Sequence, residues 1–190
     1  MPARGDVFAL GHYYHIYNRG VSRSSIFFEP ANYIYCLSLI KKYLPGYALT
    51  IIAYCLMPNH YHFLLRQDGE IALSKFIGVL FNAYVQAVNK RQQRSGSLFE
   101  SRFHHILIER DEHLIHLCRY IHLNPVRARL VHQPADWPYS NYLEWIDQRN
   151  GTLKDEKFIR QWFADAATYQ AFVSELQTER DEMIAQYIWD

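Results

Sequence analysis

A chain of 190 residues, 49% hydrophobic and 21% charged, has the size and balance of one compact domain around a single core. No run of about eighteen apolar residues occurs, and the opening MPARGDVFALGHYY lacks the long apolar stretch of a secretory signal. The net charge of +1 conceals a split: residues 1–133 hold 15 Lys and Arg against 8 Asp and Glu, whereas residues 134–190 hold 5 against 11, the pattern of a polyanion-binding body with an acidic appendage.

Residues 12–18, HYYHIYN, are aromatic and β-branched and are followed by Gly20, which predicts a strand and then a loop bearing Arg19 and Arg23. Ile34, Leu37, Ile40 and Leu44 recur near helical spacing until Pro45-Gly46 stops them, so residues 30–44 read as a helix. YALTIIAYCLM, residues 47–57, is a nearly continuous apolar run and predicts a strand buried on both faces. Pro58-Asn59 interrupts it and HYHFLLR resumes as a second strand, a hairpin expected at the centre of a sheet. Residues 71–93 carry the longest helical stripe, with Phe76, Leu80, Phe81, Tyr84 and Val88 on one face, a basic end NKRQQR, and Gly96 placed as a C-cap.

A further strand is expected around 103–109, and then a helix capped by Asp111, with Leu114, Leu117, Cys118 and Ile121 facing inward and Pro125 closing it near Asn124. An aromatic loop (WPYSNYLEW) and two short amphipathic helices between about 155 and 190 complete an α+β chain without repeats or low-complexity tracts. Cys36, Cys55 and Cys118 each sit among apolar residues and read as reduced core thiols of a cytoplasmic protein.

Two constellations carry chemistry. In His60-Tyr61-His62, residues two apart on a strand share a face, so both imidazoles can meet one ion while Tyr61 points away. With ten histidines in the chain such a pair also arises by chance, and something else must complete a site. In RYIHLNP, Tyr120 and Asn124 lie one helical turn apart, with His116 and His113 continuing the same edge. An amide oxygen beside two imidazoles would give three protein ligands and leave positions for phosphate oxygens. The plain alternative is that Tyr120 and Asn124 pack and cap the helix end.

Tyr84 falls on an apolar stripe and reads as core, and His104, His105, His113 and His116 read as surface or helix-edge residues. Arg19, Arg23, Lys90, Arg91, Arg94, Arg102 and Arg127, interleaved with aromatics, suit a groove that tracks a nucleic-acid backbone and stacks its bases; each alone is equally a solvated charge. No G-x-x-x-x-G-K-[ST] loop is present, so no nucleotide cofactor is expected.

The segments YHIYNRG (14–20), CLMPNHYHFLL (55–65), RSGSLFESRF (94–103), YIHLNPVRARLV (120–131) and WPYSNY (137–142) together resemble the HUH-type single-tyrosine transposases of the IS200-like family, specifically the REP-associated group, over residues 11–145. The resemblance implies a ferredoxin-like antiparallel sheet with packed helices, a catalytic domain over 1–150 and a helical C-terminal extension over 151–190. It implies His60, His62 and Asn124 as ligands of Mg2+ or Mn2+, and Tyr120 as the nucleophile that forms a 5′-phosphotyrosine with single-stranded or hairpin DNA. The protein would act as a monomer or homodimer, away from membranes. Arg129 replaces the family's usual glycine in a surface loop, leaving the four chemical residues in place, and FESRF departs from the usual W-Q-x-R-F, so that Phe99 and Glu100 are expected to alter DNA contacts. Two other readings are a hydrolase in which metal-activated water replaces the tyrosine, and a relative that binds DNA hairpins without cutting them.

Overall fold

The computed structural model describes residues 8–175. Four strands, Tyr13–Arg19 (β1), Leu49–Met57 (β2), His60–Gln67 (β3) and His104–Ile108 (β4), form one antiparallel sheet in the order β2-β3-β1-β4. Helices Pro30–Tyr43 (α1) and Leu73–Arg91 (α2) complete a ferredoxin-like β1-α1-β2-β3-α2-β4 arrangement; Asp111–Arg127 (α3), Tyr142–Trp145 (α4), Glu156–Trp162 (α5) and Ala166–Ser174 (α6) follow. No described helix is long and apolar enough to cross a membrane.

Both faces of the sheet are covered, which is why β2 and the middle of β3 are apolar without alternation. On one face Ile16, Tyr54, Phe63 and Leu65 pack with Ile40 of α1 and with Phe76 and Leu80 of α2. On the other, Ala53, Cys55 and Leu64 pack with Leu117, Cys118 and Ile121 of α3, and with Trp145, Phe158 and Tyr169 from α4, α5 and α6.

The β2–β3 hairpin is off-centre: β2 is an edge strand in hydrogen-bonding terms. It is nevertheless buried because residues 139–141 lie along it, with the Leu56 amide donating to Tyr139 (2.9 Å) and the Asn141 amide to Tyr54 (3.3 Å). Covering the edge with a loop removes the exposed ladder that an apolar edge would otherwise present. The Asn141 side chain completes the seal. Its Oδ1 accepts the Tyr54 amide (2.8 Å) and His122 Nε2–H (2.9 Å), and its Nδ2 donates to Ile52 (2.9 Å) and Leu153 (3.0 Å). The Tyr169 hydroxyl, 2.5 Å from His122 Nδ1, fills the other ring nitrogen, and burial pushes His122 down to about 4.

Three helix ends differ from expectation. α3 continues through Pro125 to Arg127. Pro125 cannot donate to the carbonyl one turn back, but the turn beyond it still closes: the Ala128 amide reaches the Asn124 carbonyl (2.9 Å) and the Leu130 amide the Pro125 carbonyl (2.9 Å). Packing decides the helix despite its His and Asn content. Leu114, Leu117 and Ile121 are at most 2% exposed, each contributing about 1.5–3 kcal/mol against propensity deficits of a few tenths. Asp111 sits inside the first turn, with Arg110 at the N-cap and no side-chain cap bond, so its role is to place a negative charge at the positive helix end. α2 stops at Arg91, and the left-handed residue beyond it is Gln93 (φ 50°); Gly96 (φ 88°) belongs to the following loop, where its carbonyl accepts from Asn89 Nδ2 (2.8 Å). The expected tail helices are α5 and α6, ending at Ser174; the remainder of that segment lies outside the described residues.

Candidate functional site

Antiparallel pairing of β1 with β3 sets Tyr17 opposite His62 and Arg19 opposite His60. Directly paired residues project from the same face, so His15, Tyr17, Arg19, His60 and His62 all face α3. That helix carries Tyr120 and Asn124 one turn apart over the same end of the sheet. His60 Nε2 stands 3.0 Å from Asn124 Oδ1. The His62 ring lies 5.0 Å from that of His60 and 5.6 Å from that of Tyr120, nearly perpendicular to both. Tyr61 points the opposite way, stacked on Phe81 at 4.2 Å, and Tyr84 is core, its hydroxyl donating to the Ile26 carbonyl (2.6 Å).

Both ring nitrogens of His60 face oxygen acceptors, so one neutral imidazole cannot donate to both. Asn59 Nδ2 donates to the Arg23 carbonyl (3.2 Å), which turns Asn59 Oδ1 toward His60 Nδ1 at 2.7 Å. A neutral His60 that gives its proton to Asn59 presents a bare Nε2 to Asn124 Oδ1. Two lone pairs then face each other at 3.0 Å, an arrangement that a cation between them relieves. His62 Nδ1 is 2.9 Å from His15 Nε2, with the two rings stacked. His62 Nε2 is buried and has no hydrogen-bond partner, a state that costs about 1–3 kcal/mol unless something fills it. Burial first, and then the neighbouring His60 and His15, hold His62 well below the usual imidazole range. It is therefore neutral and suited to ligation.

Two imidazole nitrogens and an amide oxygen could hold a divalent cation. Adjacent ligands at right angles around an ion with bonds of about 2.1 Å stand about 3 Å apart, matching the 3.0 Å between His60 and Asn124. Among the described residues no three His, Cys, Asp or Glu side chains are grouped to hold an ion, so the amide is needed to complete the set.

Above these donors opens a cavity of about 330 Å3 lined by Arg19, Arg23, Asn59, His60, Tyr120, Asn124, Arg127 and Ala128. Three guanidinium groups around it attract an anion. Arg19 also pairs with Glu100 at 2.9 Å, and Arg127 lies 5.2 Å from the centre of the Tyr120 ring. The loop that delivers Arg23 is strained: Ser22 (φ 52°) and Arg23 (φ 58°) are both left-handed, a conformation that costs non-glycine residues about 1–3 kcal/mol each.

Of the residues anticipated from sequence, Tyr120, His60, Asn124, Arg19, Arg23 and Arg127 line this cavity, and His62 lies beneath it. Lys90, Arg91, Arg94 and Arg102 do not line it: Arg91 pairs with Glu29 (2.6 Å), Arg94 donates to the Ser97 carbonyl (3.3 Å), and Arg102 lines a second pocket. His113 and His116, expected at a helix edge, are buried. Sequence reasoning missed His15 and Asn59. The signal for Asn59 is its adjacency to His60; His15 joins His62 only once the β1–β3 register is known.

Residues 9–124 match the family described as "Transposase IS200 like". A Haemophilus influenzae protein whose name places it among the REP-associated tyrosine transposases is 27% identical over 117 residues, 55% of this chain and 65% of that relative. The match thus spans just under two thirds of the relative's length. A solved structure of a REP-associated tyrosine transposase bound to a REP hairpin shares this fold with a TM-score of 0.66 at 20% identity, over 82% of this chain and 94% of the other.

Proposed function

The chain belongs to the IS200-like transposase family, and from that premise we propose that it cuts and rejoins single-stranded or hairpin-bearing DNA through a covalent bond to Tyr120. The observation that carries this reading is the buried, partnerless Nε2 of His62 beneath an arginine-lined cavity that Tyr120 enters. The substrate class follows the structural neighbour, which is bound to a REP hairpin.

In this reading His60, His62 and Asn124 hold the cation, expected to be magnesium or manganese. When bound, it neutralises a non-bridging phosphate oxygen. Arg19 and Arg23 hold the phosphodiester in the cavity. The Tyr120 oxygen bonds to phosphorus as the P–O3′ bond breaks, leaving a 5′-phosphotyrosine and a 3′-oxygen that takes up a proton from water. The phenol must lose its proton to attack, and the positive charge of Arg127 beside its ring favours the phenolate. Because the phosphotyrosine is itself an ester, a 3′-hydroxyl of another strand reverses the attack and joins ends without ATP.

The test is incubation with labelled hairpin oligonucleotides, with and without Mg2+ or Mn2+, resolved on a denaturing gel. A metal-dependent protein–DNA adduct that Tyr120→Phe abolishes is the expected result. Cleavage without adduct would replace the tyrosine with water, and binding without cleavage would make the protein a hairpin binder only.

A further inference from the structure

The ladder along β1 runs on past the end of β4, and it does so in a different register. β4 pairs with β1 so that Tyr17 stands opposite His104. Carried two residues further, that register would set Arg102 opposite Arg19, cation against cation. Residues 98–101 instead follow residues 18–21 with the register moved by two. The Val21 amide donates to the Leu98 carbonyl (3.0 Å), the Glu100 amide donates to the Arg19 carbonyl (3.1 Å), and Gly20 bridges to Phe99. Asn18 Nδ2 adds a bond to the Ser101 carbonyl (3.1 Å). Arg102 and Phe103 are the two extra residues, and both line the second pocket, on the α2 side of the sheet. Irregularities of this kind re-aim side chains beside active sites.

The consequence is electrostatic. Residues opposite one another share a face, so the shift puts Glu100, in place of Arg102, beside Arg19 on the face that carries the arginine-lined cavity. Arg19 Nε donates to Glu100 Oε1 at 2.9 Å, with the two side chains 21% and 26% exposed. Arg19 itself lines the cavity. One of the three guanidinium groups there thus already carries a carboxylate, and main-chain hydrogen bonds on both sides of Glu100 fix its place.

We infer that Glu100 is a tethered rival of phosphate for Arg19: the ion pair neutralises this guanidinium, and a strand's phosphate must displace the carboxylate to use it. Carboxylate and phosphodiester accept from the same donors, and two anions at one guanidinium repel each other. The contact therefore holds down affinity for DNA backbone in general. A strand that offers phosphates alone gains little from Arg19, whereas one held at further points can displace the carboxylate. This inference rests on the DNA reading above.

The experiment follows fluorescence anisotropy of a labelled hairpin oligonucleotide, and of an unrelated single strand of equal length, without divalent cations and over a series of salt concentrations. Glu100→Gln keeps an oxygen for Arg19 Nε–H and keeps the ladder amide, and it removes the charge. It is expected to melt as wild type does and to bind both oligonucleotides about fivefold more tightly, the upper end for a partly exposed ion pair. The slope of log affinity against log salt is expected to steepen by about 0.7, one further phosphate neutralised on a single strand. Exposed Glu70 follows β3 at the end of the sheet away from His60, so Glu70→Gln makes the same change of net charge far from the cavity and is expected to bind as wild type does. Affinity at or below wild type in Glu100→Gln would make Glu100 a residue that orients Arg19, and overturns the inference. An equal gain in Glu70→Gln would reduce the effect to net charge, and overturns it too. Both results leave the DNA reading standing, whereas a wild-type protein that binds neither oligonucleotide at low salt removes that reading and this inference together.

Discussion

Two regions of this molecule pair a buried histidine with a nearby asparagine of α3 or its neighbouring loop, and they end differently. Around His122 everything is satisfied: both ring nitrogens have partners, and Asn141 uses its oxygen twice and its nitrogen twice. Around His62 one ring nitrogen is left bare, and the neighbouring His60 Nε2 stands 3.0 Å from Asn124 Oδ1. The first region joins α3, β2 and the C-terminal helices and needs nothing more. The second is an incomplete polar network kept in place by a complete one, and incompleteness of that kind marks where a ligand belongs.

The sharpest way to separate the two regions is to remove the proposed nucleophile. Tyr120→Phe should lower adduct formation and strand transfer at least about a thousandfold, with thermal melting changed little, as read by denaturing gels and circular dichroism. A melting loss that accounts for the missing activity would make Tyr120 a packing residue.

Next in size is damage to the completed region. Asn141→Leu leaves the buried Tyr54 amide and Leu153 carbonyl unpaired and should cost about 3–5 kcal/mol in denaturant unfolding. His122→Leu should cost about 2–4 kcal/mol, since it strands the Tyr169 hydroxyl and takes one of two donors from Asn141 Oδ1. His62→Leu, equally buried, removes one nitrogen that has no partner and one bonded to His15, and should cost less, about 1–2 kcal/mol, while abolishing binding of Mn2+ followed by its paramagnetic resonance. Equal losses of stability from the two histidine changes would erase the distinction drawn here.

The smallest effect expected is at His15. Its Nε2 stands 2.9 Å from His62 Nδ1, and ligation through His62 Nε2 requires it to accept the proton carried on that Nδ1. His15→Ala should weaken Mn2+ binding about tenfold or somewhat more with the fold retained. Unchanged Mn2+ affinity would reduce His15 to core packing.

Much of this was readable from local pattern. The apolar run before Pro58-Asn59, the stripe ending at Val88, and Tyr120 and Asn124 one turn apart all depend on residues close in the chain, whose periods of two and 3.6 are set by backbone geometry. The resemblance carried by MPNHYH and YIHLNPV likewise lies in contiguous segments. The helix that passes Pro125 was not readable, because its last carbonyls, at 124–126, find the amides of residues 128–130 only when that turn folds back.

Pairing and burial were decided by the tertiary structure alone. That β2 is an edge strand sealed by residues 139–141, that His15 meets His62 across forty-seven positions, and that Arg91 and Arg94 turn to Glu29 and Ser97 instead of the cavity are facts of register and packing. Sequence determined which elements form and which side chains could do chemistry, since those follow from local sterics and residue type. Which of those side chains meet depended on how the helices close over the two faces of the sheet, because long-range contacts follow from mutual burial and leave no local period to read.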